Sequence, residues 1–107
     1  MTDAPAVSVV DNTDASRFEV HVAGALAGFA DYRLRDGGSL VAVTHTEIDD
    51  AYAGQGLAKQ LAVAALDALR ADGRELLPFC PFFRGYVAKH PDYLDLVPAD
   101  RRAEFGL

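Results

Sequence analysis

The sequence predicts a single α/β domain of the α+β type, in which an antiparallel meander of strands leads into a parallel βαβ unit. Two observations favour this class. Apolar and polar residues alternate over residues 18–48, as they do in half-buried strands. The apolar period then lengthens to that of a helix over residues 56–72, before a short buried strand at residues 75–79. A strand, helix, strand crossover of this length makes its two strands parallel and right-handed.

Three strands are predicted before the helix, over residues 18–24, 26–35 and 39–48. The first has Phe18, Val20 and Val22 on one face and Glu19 and His21 on the other. The Asp-Gly-Gly sequence that separates the second strand from the third is a strong hairpin signal. We therefore expect these strands to pair antiparallel in chain order.

The end of the third strand carries two side chains that can exchange protons. Strict alternation places His45 and Glu47 on one face, which they share with Val41 and Val43. The fourth predicted strand ends near Cys80, at the same end of the sheet. Because ligands in open sheets bind outside the carboxyl ends of the strands, this end of the sheet is the predicted site.

The two ends of the chain are less regular. Residues 1–17 predict a loose start, although Val7, Val9 and Val10 are typical of a short edge strand. Residues 82–90 predict a short helix, and residues 99–105 predict one or two further helical turns. The whole chain, residues 1–107, is predicted to be one domain with its core at about residues 18–93.

The composition bears on the class of partner. The net charge of −6, with only ten scattered Lys and Arg residues, argues against a nucleic-acid ligand. An acidic surface favours a cationic partner such as a small-molecule amine or a basic peptide, although many proteins are acidic simply to stay soluble.

The composition also bears on location and metal content. No apolar run approaches the ~20 residues of a membrane span, and residues 1–5 lack the features of a secretory signal. The single cysteine, Cys80, excludes an intrachain disulfide and a four-cysteine metal site. We therefore expect a cytoplasmic protein with no membrane partner and no metal.

Residues 51–58, Ala-Tyr-Ala-Gly-Gln-Gly-Leu-Ala, place two glycines where a strand ends and the helix begins. Gly54 and Gly56 let the backbone approach a phosphate closely, and the free N–H groups of the first helical turn point outward at it. A tight turn between strand and helix also favours glycine for steric reasons alone. The two glycines by themselves leave both interpretations open.

The same segment, preceded by Thr-Glu-Ile at residues 46–48 and followed by Leu61, resembles the acetyl-coenzyme A binding segment of the GNAT superfamily of N-acetyltransferases. The sequence Leu-Pro-Phe-Cys-Pro-Phe at residues 77–82, with Tyr86 and Lys-His-Pro-Asp-Tyr at residues 89–93, looks like the small YjdJ-type subgroup of that superfamily. The resemblance implies a GNAT-like mixed sheet with a splayed coenzyme A cleft.

This resemblance implies that acetyl-coenzyme A is a co-substrate whose pyrophosphate sits on the backbone amides of the glycine turn. Ala53 stands where the family pattern usually has Arg or Gln, a change that backbone contacts survive. The residues implied to bind coenzyme A are Ile48, Gly54, Gln55, Gly56, Leu57, Ala58 and Lys59.

Four side chains are candidates for catalysis. Acetyl transfer needs a neutral amine, a polarised thioester carbonyl and a proton for the departing thiolate. Relatives often place a general base at the strand end that Glu47 occupies, and His45 could be that base or could orient Glu47. Tyr86 matches the tyrosine with which relatives protonate the thiolate. Cys80 could accept the acetyl group as a thiolate if the nearby helix terminus and His45 favour that form.

Each candidate also has a purely structural interpretation. Glu47 could be an exposed carboxylate near a sheet edge, and His45 a packed or solvated side chain. Tyr86 could be a core residue with a wet hydroxyl group, and Cys80 a small apolar filler between prolines and phenylalanines.

The leading prediction is an acetyl-coenzyme A-dependent N-acetyltransferase that acts on a primary amine by direct attack, as a monomer or weak dimer. The alternative is a module that binds coenzyme A or acyl-coenzyme A without turnover. A third possibility is a structural or partner-binding domain whose glycine turn is steric only. The sequence does not specify the acceptor.

Overall fold

The computed structural model describes residues 6–107, in which five strands form one sheet and two α-helices flank the fifth strand. The strands are β1 (Val7–Asn12), β2 (Arg17–Val22), β3 (Ala25–Arg35), β4 (Leu40–Ile48) and β5 (Glu75–Pro78), and the helices are α1 (Leu57–Ala71) and α2 (Pro81–Lys89). Short 3₁₀ segments occupy Thr13–Ala15, Asp36–Gly38, Asp50–Tyr52, Pro91–Leu96 and Ala99–Phe105. The expected absence of a secretory signal concerns residues 1–5, which lie outside the described residues.

The strands lie side by side in chain order, from β1 at one edge to β5 at the other. Neighbouring strands pair antiparallel from β1 to β4, whereas β4 and β5 are parallel. The predicted meander and the predicted βαβ unit are therefore confirmed. The Asp36–Gly38 turn is the predicted connection between β3 and β4.

The start of the chain is more regular than expected. The loose start predicted over residues 1–17 is wrong from Val7 onward, because β1 pairs with β2 along its whole length. The suggested edge strand is confirmed and extends to Asn12, where the Thr13–Ala15 turn begins.

Helix α1 packs on the sheet and contacts all five strands. It ends where Gly73 adopts a left-handed conformation with φ of 68°. The predicted apolar stripe included Ala64 and Ala68, which are only half-buried at its margin. The stripe is completed by Ala62 and Leu66, and the buried residues of the helix are Leu57, Leu61, Ala62, Ala65, Leu66 and Leu69.

Strand β4 contains one residue more than its partner β3, at Thr44. The register pairs Tyr32 with Val43 and Asp31 with His45, so Thr44 is left over and forms a β-bulge. Directly opposed residues share a face of the sheet. Val43 therefore lies with Tyr32 on the buried face, and His45 lies with Asp31 on the opposite one.

The bulge changes which face carries the candidate bases. The alternation predicted His45 and Glu47 on the face of Val41 and Val43, which is wrong because the extra residue shifts the pattern by one. Glu47 pairs with Phe29, two residues from Asp31 on β3, so the prediction that His45 and Glu47 share a face is confirmed. We call this side of β2, β3 and β4 the open face, because both candidate bases are exposed on it.

Strands β4 and β5 diverge before β4 ends. Their pairing runs only as far as Val43 opposite Pro78. One further bond, from the N–H of Cys80 to the carbonyl of Val43 at 2.8 Å, closes the contact. Within residues 6–107, β4 makes no later backbone hydrogen bond on that side, although it continues to Ile48. The predicted splayed cleft therefore lies beside residues 44–48.

The chain after β5 packs back on the core. Helix α2 begins at Pro81, where the missing N–H needs no partner, and buries Phe83 and Val87. The predicted turns near the end of the chain are 3₁₀ rather than α-helical, and Phe105 packs edge-to-face on Phe79 with ring centroids 5.0 Å apart. No helix in residues 6–107 combines the length and the apolar character needed to cross a membrane.

Candidate active site

The bend between β4 and α1 exposes its backbone. Asp49 starts the bend by accepting a hydrogen bond from the N–H of Ala51 at 2.9 Å. Gly54 and Gly56 both adopt the left-handed conformation, with φ of 80° and 71°. A Cβ atom at either position would meet no atom within 4 Å. The positive φ, rather than close packing, is what requires glycine at these positions.

The amides of this bend have no hydrogen-bond partners among the described residues. Among the described residues, the backbone N–H groups of residues 54–59 donate to no other residue, and the first bond of α1 runs from Gln60 to Gly56. Residues 53–56 and Lys59 are exposed. Free amides at a helix N-terminus carry partial positive charge and bind anions. The bend has the chemistry to hold a diphosphate, and nothing in the described fold covers it.

The candidate bases lie next to this bend, on the open face. Glu47 and His45 are both exposed, and the ring of His45 lies 6.2 Å from that of Phe29. Glu47 is directly opposite Phe29 in the register. A carboxylate and an imidazole at the exposed end of a strand can each accept a proton from a substrate.

A cavity of about 320 Å³ lies beside the end of β4, and Glu47 lines it. Asp49 and Asp50 add two more carboxylates to its wall, and Leu26 and Phe29 add apolar surface. Within residues 6–107, no Lys or Arg lines it. The concentration of negative charge on an apolar wall suits a cation that carries a hydrocarbon part.

A family comparison decides the identity of this arrangement. The family model described as GCN5-related N-acetyl-transferase matches residues 17–96, which include strands β2 to β5, the bend and both α-helices. The chain belongs to this family. The GNAT superfamily predicted from the glycine turn is therefore confirmed, whereas membership of the YjdJ-type subgroup stays a prediction.

Individual relatives agree with the family. The Gallus gallus protein named Protein NATD1 is 40% identical over 55 residues, which are 51% of this chain and 50% of that protein. The Homo sapiens Protein NATD1 is also 40% identical over 55 residues, covering 51% of this chain and 49% of that protein. The matched segment thus spans about half the length of these curated relatives.

A solved structure shares the fold. The crystal structure of ribosomal-protein-alanine N-acetyltransferase from Brucella melitensis biovar Abortus 2308 superposes with a TM-score of 0.57 at 17% identity. The match covers 91% of this chain and 93% of that one. At this identity the likeness supports the GNAT fold and says nothing about the substrate.

Cys80 of this GNAT domain lies between the diverging strands. Its Sγ is 3.0 Å from Oγ1 of Thr46, and only 2% of the residue is exposed. Thr46 pairs with Ala30 on the buried face, whereas His45 is on the open face. The polar neighbour of Cys80 is therefore Thr46 and not His45, which removes one of the two activating groups that the nucleophile hypothesis invoked.

Tyr86 belongs to an aromatic cluster behind the cleft. Its ring stacks on that of His90 with centroids 4.1 Å apart, and the ring of Tyr93 is 6.0 Å away. The Tyr93 hydroxyl donates to Asp67 on α1 at 2.9 Å, so the cluster ties α2 to α1. Tyr86 is half-buried in this cluster, and its role as a proton donor stays a prediction.

The open face also carries a polar network that the sequence interpretation missed. Glu19 is only 7% exposed and accepts hydrogen bonds from Asn12 at 2.9 Å and Arg17 at 2.7 Å, while Nε2 of His21 lies 3.0 Å from its other oxygen. The guanidinium of Arg17 lies 4.8 Å from the ring centre of Phe29. The hydrogen bonds from Asn12, Arg17 and His21 lower the pKa of Glu19 from 4.5 to about 2.

We expect the free energy of unfolding of the Glu19→Gln variant to lack the pH-dependent contribution that Glu19 makes in the wild type. Because the pKa of Glu19 is lower in the folded chain than in the unfolded one, its contribution is complete above pH 4.5 and is lost as the pH falls towards 2. Because Arg17 and His21 are partly exposed and solvent screens their charges, the contribution of Glu19 to the free energy of unfolding is about 1–2 kcal/mol. Urea unfolding from pH 7 to pH 2 should show the wild type losing that much more stability than Glu19→Gln. Parallel curves for the two proteins would contradict this.

None of the residues 6–107 form a group of three or more His, Cys, Asp and Glu side chains arranged to hold a metal ion.

Proposed function

We propose that this GNAT domain transfers an acetyl group from acetyl-coenzyme A to a primary amine. The observation that carries the proposal is the run of backbone amides over residues 54–59 that have no partner among the described residues, in a bend whose residues 53–56 and Lys59 are exposed. Such a run can bind the diphosphate of coenzyme A through the main chain alone, so it does not need a charged side chain at Ala53 just before it. The proposed binding residues are those implied by the family resemblance: Ile48, Gly54, Gln55, Gly56, Leu57, Ala58 and Lys59.

The splayed strands are the proposed channel for the rest of acetyl-coenzyme A. A ligand that extends from the bend along residues 44–48 reaches the unpaired side of β4, whose backbone is free to hydrogen-bond it. This path ends near Cys80 and Thr46. The thioester bound there supplies an electrophilic carbonyl carbon and a thiolate leaving group.

The proposed reaction is a direct transfer. The amine nitrogen bonds to the carbonyl carbon as the carbon–sulfur bond breaks, and the amine proton passes to Glu47 or, in its place, to His45. Tyr86 is proposed to return a proton to the sulfur. The carboxylates of Asp49 and Asp50 beside Glu47 support a cationic acceptor, either a small-molecule amine or an amine of a basic peptide.

Two measurements test the proposal in sequence. Calorimetric titration with coenzyme A should give saturable binding, and its absence would refute both the enzyme and the alternative binding module. Release of free thiol from acetyl-coenzyme A with a panel of primary amines should then depend on the amine. Binding without amine-dependent release would establish the module without turnover.

We also propose a cytoplasmic location and a single GNAT domain over residues 1–107, in keeping with a lone free cysteine and one hydrophobic core.

We expect Cys80→Ala to keep amine-dependent thiol release within a few-fold of the wild type. The buried thiol is shielded by its neighbours and sits beside Thr46, so direct attack by the amine does not need it. Losing one buried sulfur should cost about 1 kcal/mol of stability, which thermal unfolding checks. An inactive but folded variant, together with one acetyl group on Cys80 in rapidly quenched wild type, would instead establish a covalent intermediate.

A further inference from the structure

The outer edge of β1 has the features of a pairing surface. Strand β1 is one of the two edges of the sheet, and its six residues pair with β2 without a bulge. Val7 and Val10 are 38% and 47% exposed. Edge strands in soluble proteins are usually blunted by proline, bulges, short length or outward charges. The other edge, β5, is short and ends in Pro78, whereas β1 has none of the first three devices.

The one ionisable side chain of β1 bonds to a residue of β3. Asp11 is the only ionisable residue of the strand, and its Oδ1 accepts a hydrogen bond from the hydroxyl of Tyr32 at 2.6 Å. Tyr32 is a buried residue of β3, two strands away from the edge. This hydrogen bond joins β1 to β3 across the face of the sheet, while Asp11 itself stays exposed.

The hydrogen-bond pattern fixes which backbone groups of β1 face outward. The N–H of Ala23 donates to the carbonyl of Ala6 at 2.8 Å, so this opposed pair is a hydrogen-bonded one. Hydrogen-bonded and non-hydrogen-bonded pairs alternate along antiparallel strands. The bond from the N–H of Tyr32 to the carbonyl of Ser16 agrees with this alternation, because it shows that the even-numbered residues at the start of β2 face β3 and the odd-numbered ones face β1. The N–H and carbonyl groups of Val7, Val9 and Asp11 consequently point away from β2.

We propose that β1 pairs antiparallel with β1 of a second copy of this chain, about a twofold axis at Val9. In this register Val9 lies opposite Val9 of the other copy, and Val7 lies opposite Asp11. Every outward-facing group then finds a partner, and the two Asp11 side chains lie at opposite ends of the pairing. An arrangement in which the same surface meets itself is the closed symmetry of most homodimers. The contact is small, so the dimer is a weak, concentration-dependent one.

Replacement of a single backbone donor tests the proposal. Because the N–H of Val9 is not used within its own sheet, Val9→Pro should keep the fold and lose the dimer. The matched control Val9→Thr keeps both the N–H and the branched Cβ and should still dimerise. Sedimentation equilibrium up to about 1 mM should give twice the 11.5 kDa chain mass for the wild type and the control, and the single mass for Val9→Pro.

Amide hydrogen exchange of the wild type gives a second readout if Val9→Pro does not fold. The Val7, Val9 and Asp11 amides should exchange more slowly as protein concentration rises, whereas exposed amides elsewhere should not change. A wild type that stays monomeric up to that concentration overturns the proposal, as does concentration-independent protection of the three amides. The latter result would show that the edge is covered by its own chain. Neither readout involves catalysis, so the outcome is independent of the proposed acetyl transfer.

Discussion

Replacing Glu47 by glutamine is expected to lower kcat about 10²- to 10⁴-fold, the usual contribution of a positioned general base. Glutamine keeps the size of the side chain but cannot take the proton of the attacking amine. The coenzyme A affinity should not change, because the proposed diphosphate site is built from main-chain amides over residues 54–59. Steady-state thiol release and calorimetric titration measure the two quantities separately.

Two further variants make this experiment decisive. Glu75→Gln removes an exposed carboxylate at the opposite end of the parallel strand pair and should leave kcat unchanged. His45→Gln tests the alternative base on the same face. A large loss for His45→Gln with little loss for Glu47→Gln would assign the base to His45. Full activity in both variants would refute a base on this strand.

Replacing Gly56 by valine is expected to weaken coenzyme A binding at least about tenfold. A β-branched residue is rarely accommodated at the φ of 71° that Gly56 adopts, so the first turn of α1 would re-form with its amides aimed differently. Each charge-assisted hydrogen bond lost to the diphosphate costs about 1.5–3 kcal/mol, which corresponds to about tenfold or more in Kd. Titration with coenzyme A measures the effect.

The control for this variant is Gly73→Val at the other end of α1. Gly73 has φ of 68°, and a Cβ atom there also meets nothing within 4 Å. Both variants should therefore lose similar stability, about 1–2 kcal/mol from the left-handed backbone alone. Only Gly56→Val should lose coenzyme A affinity. Equal affinity in the two variants would mean that the bend is steric only.

Regular periodicity was enough to predict most of this fold. The two-residue alternation of β2, β3 and β4 and the longer period of α1 follow directly from which side chains must face the core. The parallel pairing of β4 with β5 follows from the length of the crossover between them. The exposed glycine bend was also predictable, because few residues other than glycine adopt a positive φ readily.

Two features of the site could not be obtained in this way. The bulge at Thr44 is invisible to an alternation argument, because His45 and Glu47 remain two residues apart whichever face they occupy. The burial of Glu19 depends on Asn12, which reaches it from the neighbouring strand. The run Arg17, Glu19, His21 on one face of β2 was the available signal, since alternate charges of opposite sign on a strand can pair.

The leftover residue at Thr44 makes the end of β4 that carries the candidate bases sensitive to chain length more than to residue identity. A chain one residue shorter at that point would place every later residue of β4 on the opposite face of the sheet. His45 and Glu47 would then face α1, and Thr46 and Ile48 would be exposed to solvent. A deletion of this kind would cost both the folded state and the chemistry, whereas many substitutions of Thr44 itself would cost neither.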